Sequence, residues 1–455
     1  MIDFQLPPLQ ALELPSGLKL VAIQRRGLPL FHARLSLPAG ASTDPKGKTG
    51  LAQFVADLLR RGTVSRTADE IDDLIEGMGA HLGVECSMDE TAVSLTVLSE
   101  LREQALDALL EVALQPAFHH EEVTSAQRRT LAGLQSDLDE PGMLASRALV
   151  TIGFGADHAY GHPTAGFKRD VETFTRGDVA QHHASHYRQH GGLLVIVAPE
   201  EPAVLIGFAR ACLDKRAAAW PERPSLDASA RPLAPEPPQT PPSLKDGPLR
   251  ALVIHKQDSS QAQVRIVAPG VPKKNPHYAA AVVANSALGG AFTSVLVDAI
   301  RVDRGLSYSV SSRLLMYRHA GLSIFASFTK NETLRALVDV ALEKMHGYAE
   351  AGPTQDALDK TRTYLAGLFP LGLESHESLA EQVADAILDG VGLEHLMTYR
   401  GRVRAVTLEE ARAAAAALSP ARAGAQLIVV GDGEVAKAAL GSLCPVDVRP
   451  LDEFA

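Results

Sequence analysis

GLAQFVADLLRRGT, residues 50–63, is the stretch on which the reading of the fold turns. Leu51, Phe54, Val55, Leu58 and Leu59 recur at i, i+3, i+4, i+7 and i+8. That spacing lines apolar side chains along one stripe of a helix and turns them toward a core. Gln53 and Asp57 stand four residues apart and share a different face. Outward from this helix, period-2 or buried-strand patterns run over 18–24, 31–37, 80–86 and 91–98. Helical patterns cover 49–61, 66–78, 101–115 and 121–138. A hairpin-like strand pair followed by two long helices predicts an α+β fold: a mostly antiparallel sheet with helices packed on one face.

The unit occurs twice. ALDALLEVAL (105–114) aligns with TLRALVDVAL (333–342) with six of ten positions identical at an offset of 228. LAGL occurs at 131–134 and again at 365–368. TRGDVAQ (175–181) and TLEEARA (407–413) both read as capped helix starts, each leading to an apolar strand, LLVIVA (193–198) and QLIVVG (426–431). Strands that run into tight turns, ARLSLPAG (33–40) and VRIVAPG (264–270), open the two halves. This constant order predicts an internal duplication. Between the halves, residues 221–248 hold nine prolines in 28 residues. Proline fixes φ and removes backbone donors, so this segment reads as an extended linker between domains at 1–220 and 249–455.

Composition narrows the function classes. The 455 residues carry 44 Lys and Arg against 54 Asp and Glu, a net charge of −10. No basic surplus is available for a phosphate backbone, which argues against nucleic-acid binding. Apolar runs such as AAAVVANSAL (279–288) fall short of a bilayer span, so no membrane segment is predicted. Cys86, Cys212 and Cys444 are scattered and odd in number, which implies free thiols rather than a disulfide framework. The first twenty residues lack a basic region followed by an apolar one. The chain as given therefore reads as cytoplasmic, or as periplasmic if a signal segment has been removed.

The second half carries LGGAFTSVLVDAIRVDRGLSYSVSS (288–312). Gly289 and Gly290 read as a helix end with freedom at positive φ. Thr293 or Ser294 is positioned to cap the next helix. Val295, Leu296, Ala299 and Ile300 form its apolar stripe, and Arg301 and Arg304 fall in its last turn, where a cation suits the helix dipole. Gly305 stops the helix and SYSVSS (307–312) starts a strand.

These features together resemble the M16 (pitrilysin-type) zinc peptidases, and within them the bacterial two-domain M16B subfamily akin to the mitochondrial processing peptidase. The resemblance runs over nearly the whole chain: the PAG turn, the 50–63 helix, residues 96–118, the duplication and the linker. It implies two pitrilysin/LuxS-like metallohydrolase-type domains. In the family an H-x-x-E-H helix supplies two zinc-binding histidines and a glutamate base, with a further glutamate as third ligand. Here the first histidine position holds Gln53, the base position Ala56, the second histidine position Asp57, and the third-ligand position falls at or beside Gly133. A catalytic zinc needs about three protein ligands, and Ala56 cannot take a proton from water. No metal is expected in this chain. The family's second signature is an arginine and a tyrosine seven residues apart, which bind substrate and stabilise the oxyanion from the domain opposite the zinc. Arg301 and Tyr308 match it.

The resemblance thus implies a non-catalytic subunit of a heterodimeric zinc endopeptidase, inactive alone. Arg301 and Tyr308 would serve the active site of an H-x-x-E-H-bearing partner that holds the zinc, on a peptide substrate bound as an added strand. The alternative is a scaffold or peptide-binding protein with no part in catalysis. A third reading, a free-standing metallohydrolase, would rest on His182, His186 and His190, spaced i, i+4, i+8. No acidic ligand or base stands near them in sequence.

Overall fold

A computed structural model describes residues 5–216, 220 and 247–454. The expected linker 221–248 lies outside the described residues apart from Gly247 and Pro248. The chain divides into two compact units, each assembled from three segments: 1–132, 164–235 and 370–397 in the first, 133–163, 236–369 and 398–455 in the second.

The first unit is built on a six-stranded mixed sheet of β1 (Leu9–Glu13), β2 (Lys19–Gln24), β3 (Leu30–Leu37), β4 (His81–Cys86), β5 (Thr91–Leu98) and β6 (Leu193–Ala198). Its order is β1-β2-β6-β3-β5-β4, antiparallel throughout except for the β2–β6 pair. The helices α1 (Leu51–Leu58), α2 (Ala68–Gly77), α3 (Arg102–Leu114) and α4 (His120–Asp139) follow the predicted patterns within a few residues. The second sheet contains β7 (Arg250–His255), β8 (Gln261–Pro269), β9 (Val310–Met316), β10 (Gly321–Lys330), β11 (Gln426–Gly431) and β12 (Val446–Pro450). Its order, β12-β7-β11-β8-β10-β9, repeats the first in its last five positions and differs at the β12 edge, which runs parallel to β7 where β1 runs antiparallel to β2. The duplication is therefore one of topology as well as of sequence.

The structure adds a helix on the second face of each sheet. Every residue of β3 from Phe31 to Leu37 is buried, as only a sheet covered on both sides allows. Phe31 meets Phe208 on the apolar side. On the other side Arg34 pairs with Glu90 at 2.8 Å, and the helix His376–Leu388 packs over β3 and β6. Burial, with Arg34 and His376 nearby, pushes the His32 pKa down to about 3. In the second unit the equivalent cover is α5 (Pro141–Phe154), which packs on β8 and β11. Each covering helix comes from the other half of the sequence. No periodicity discloses that exchange, because an amphipathic helix does not reveal which of two similar sheets it covers.

Cys212 and Cys444 are buried free thiols, and Cys86 is half-buried. One stretch, Tyr278–Val302, is long and apolar enough by composition to cross a membrane, contrary to the expectation drawn from shorter runs. It is a core element, broken by non-helical backbone at Ala291–Ser294, with Val283, Leu296 and Ile300 inside the second unit's core.

Candidate functional site

In the first unit α1 starts from a buried aspartate. Asp44 accepts the Gly50 N–H at 2.6 Å and the Ala52 N–H at 2.8 Å. Burial raises its pKa to about 8, against the pull of those two bonds. The apolar stripe predicted for 50–63 is buried from Leu51 through Leu59. On the opposite face Gln53 Nε2 donates to Asp57 Oδ1 at 2.7 Å, so the two polar side chains are spent on each other. Ala56 is a buried methyl. Gly133, which the resemblance places at or beside the third-ligand position, has no side chain to donate. Zinc does not fit these residues: Asp57 is the one anionic donor among the four positions. Among the described residues there is no group of three or more His, Cys, Asp and Glu poised to hold a metal.

A cleft of about 460 Å³ opens beside Ala56 and Asp57. Arg60 and Arg61, from the end of α1, Arg129 from α4 and Val84 from β4 line it. Desolvation raises the Asp57 pKa, while the Gln53 bond and the charges of Arg129 and Arg61 lower it. The sequence reading did not single out these arginines; the fold brings the chain after α1 and α4 to one cleft.

In the second unit Arg301 and Tyr308 lie against each other. The Arg301 guanidinium lies 4.3 Å from the Tyr308 ring centre and 5.0 Å from that of Phe292. Tyr308 and Phe292 are about three-quarters exposed, at 75% and 72%. Among the described residues Arg301 has no ion pair or hydrogen-bond acceptor, and the Tyr308 hydroxyl has no partner. Five N–H donors and one O–H donor are therefore available to something from outside. Phe292 was not singled out from sequence; no spacing rule marks it.

The scaffold under this trio is rigid. Arg301 sits in a π-turn, Asp298–Val302, a distortion often found at functional sites. Gly305 adopts φ +60, as a helix stop requires. Leu306 N–H donates to the Ile300 carbonyl at 2.9 Å, and Thr329 Oγ1 donates to the Leu306 carbonyl at 2.7 Å. Ser307 and Ser327 hydroxyls both donate to the Ser309 carbonyl. Tyr308 thus projects from a loop pinned on both sides. Two details of the sequence reading are corrected. Gly289 and Gly290 do not adopt positive φ but belong to a second π-turn, Ser286–Gly290. Gly289 is required by contact instead, since a Cβ there would stand 2.7 Å from Ser312. Ser294 occupies the cap position of the next helix without a side-chain cap bond.

The histidines do not converge. The helix ends at His186, and His190 lies beyond it, against Gly17. The His182 and His186 rings lie tilted against each other with centres 4.4 Å apart, and His186 Nδ1 engages the His182 carbonyl. His183 bonds the Ala113 carbonyl instead. Burial drives the His182 pKa down to about 3, as for a neutral packed imidazole.

The two sheets of matching strand order, each with its helices, define a duplicated α+β fold. The family described as insulinase (peptidase family M16) matches residues 21–159, and that described as peptidase M16 inactive domain matches residues 173–365. The chain belongs to the peptidase M16 family. An uncharacterized zinc protease of Mycobacterium tuberculosis is 25% identical over 422 residues, 91% of this chain and 92% of the relative. The non-peptidase homolog YmxG of Helicobacter pylori is 25% identical over 384 residues, 84% of this chain and 85% of the relative. The crystal structure of a peptidase M16 inactive domain from Pseudomonas fluorescens superposes with a TM-score of 0.83 at 25% identity, covering 93% of this chain and 98% of the other. The match to an inactive M16 domain, in sequence and in structure, and the non-peptidase homolog among its relatives mark a non-catalytic M16-like chain.

Proposed function

We propose that the chain is the non-catalytic subunit of a heterodimeric zinc endopeptidase, and that Arg301 and Tyr308 bind substrate and stabilise the oxyanion in the active site of a partner bearing H-x-x-E-H. The observation that carries the reading is the state of Arg301: a guanidinium held on two exposed rings, with its donors unspent. A structural arginine would be paired with a carboxylate or a carbonyl. Arginine offers a fixed cation and tyrosine a neutral donor, the pair a developing oxyanion needs. The zinc and the base belong to the partner; the substrate class is extended peptide.

The test is reconstitution with an H-x-x-E-H subunit from the same genome, followed by kcat/KM on an unfolded peptide. Arg301→Ala and Tyr308→Phe should each lower it by roughly 10²–10³, the usual cost of one oxyanion donor. No gain in activity on mixing, or variants indistinguishable from wild type, would point to a scaffold instead.

A further inference from the structure

The two sheets match strand for strand, and at one place their charges are reversed. LLVIVA (193–198) and QLIVVG (426–431) form the equivalent strands β6 and β11, so Val195 corresponds to Ile428. Arg34 of β3 stands opposite Val195, and Arg265 of β8 opposite Ile428, which makes the two arginines equivalent. Two residues along from Arg34, Ser36 faces Ala92 of β5, and Ala92 faces Glu85 of β4. The same path from Arg265 runs through Val267 and Ile324 of β10 to Arg313 of β9. Arg313 therefore stands where the first unit has Glu85. Glu90, just before Thr91, is matched in the same register by Leu322, just before Ser323.

In the first unit the fold neutralises its own arginine: Arg34 has Glu90 at 2.8 Å and Glu85 at 3.5 Å. In the second unit both carboxylates are gone and one of them is replaced by a further cation. Arg265 Nη1 is spent on the Val264 and Ser327 carbonyls at 3.0 and 3.1 Å and, at 3.4 Å, on Gln263 Oε1. Its Nε and Nη2 have no acceptor among the described residues, and the exposed Arg313 side chain has no hydrogen-bond or ion-pair partner there. Burial, with the Arg313 charge beside it, pushes the Arg265 pKa down to about 10, so the group stays cationic at neutral pH. A partly buried cation facing a like charge is costly until an anion meets it. Ser311 of β9 lies level with Arg265 across Ala326 and so on the same face of the sheet; its hydroxyl has no partner among the described residues.

We infer that Arg265 and Arg313 form a binding site for a dianion, a phosphate group or two neighbouring carboxylates, which supplies from outside the negative charge that Glu85 and Glu90 supply within the first unit. Two guanidinium groups carry two positive charges, and their forked N–H donors match the oxygens of phosphate and carboxylate. A single carboxylate leaves one of the two charges unmet. The site is a property of this chain's second unit and does not rest on the pairing with a metal-bearing subunit.

Calorimetric titration of the full chain with inorganic phosphate, succinate and acetate, at one low ionic strength, tests it. The better of the two dianions should bind at least about tenfold more tightly than acetate, the scale of one charge-assisted hydrogen bond. Phosphate ahead of succinate identifies a phosphate group as the ligand, and the reverse order identifies paired carboxylates. Arg313→Ala should weaken the dianion by at least about tenfold. Arg313→Glu, which gives the second unit the bridge of the first, should abolish dianion binding and slow hydrogen exchange in β8 and β9, a gain no misfolded protein would show. Arg301→Ala should leave these affinities unchanged, which separates this site from the one proposed for catalysis. Acetate binding as tightly as the dianions, dianion binding that survives in Arg313→Ala, or faster exchange in Arg313→Glu would overturn the inference.

Discussion

Glu111→Gln is the perturbation whose size follows most directly from the structure. Glu111 lies on α3, and its side chain is only 3% exposed. It receives the Thr63 and Ser65 hydroxyls at 2.7 Å each, the Arg66 guanidinium, and Arg216 Nη2 at 3.2 Å. These partners hold the loop that leaves α1, so the carboxylate anchors the wall of the arginine cleft. Burial by itself would raise its pKa; the bonds from Ser65, Thr63 and Arg66 overcome that and bring it from 4.5 to about 2. At 1.36 kcal/mol per pH unit the ionised form supplies about 3 kcal/mol of folding stability. Because the folded pKa lies below the unfolded one, this contribution is complete above pH 4.5 and disappears as the pH falls through 2. Glutamine keeps the shape and loses the charge. Trp220, the only tryptophan, is buried in the first unit with its indole N–H on the Tyr187 carbonyl at 3.0 Å, so its fluorescence reports that unit. With a urea m value of roughly 2–3 kcal/mol/M, the midpoint at pH 7 should fall by about 1 M. The difference between the two proteins should narrow as the pH is lowered from 4.5 toward 2. An unchanged midpoint at pH 7, or a difference that stays constant down to pH 2.5, would refute the reasoning.

Other substitutions test the support of each site. Gly289→Ala should destabilise the second unit by about 1–3 kcal/mol, because the new methyl meets Ser312 at 2.7 Å; hydrogen exchange at β9 reads the loss. Thr175→Ala removes a capping box with Asp178 and should cost about 1 kcal/mol in urea unfolding followed by Trp220. Phe292→Ala should leave the fold intact, since the ring is 72% exposed. In the reconstituted peptidase it should lower kcat/KM several-fold, by freeing Arg301 from one of its two rings.

Much of the fold was legible because it rests on short-range physics. The stripe Leu51, Phe54, Val55, Leu58 and the cap residues Thr175 and Thr407 act within a turn or two of chain, and all appear where the pattern puts them. Arg301 and Tyr308 were singled out as a pair by the resemblance to the family's second signature; the residues alone marked only a helix-end cation and a strand aromatic. What could not be read depends on distance in sequence. The exchange of α5 and the helix His376–Leu388 between sheets is one case; the gathering of Arg60, Arg61 and Arg129 is another. Phe292 became visible only once a π-turn set its ring against Arg301. The histidine spacing promised a cluster on one helix, but the helix ends at His186 and leaves His190 outside it.

The most direct measurement is metal content set beside activity, for the purified chain alone and for its one-to-one complex with an H-x-x-E-H subunit, each after chelation, dialysis and exposure to zinc. The account predicts no retained zinc and no peptide hydrolysis by the chain alone, against one zinc per complex and hydrolysis that depends on Arg301. Stoichiometric zinc and unaided hydrolysis in the isolated chain would contradict it.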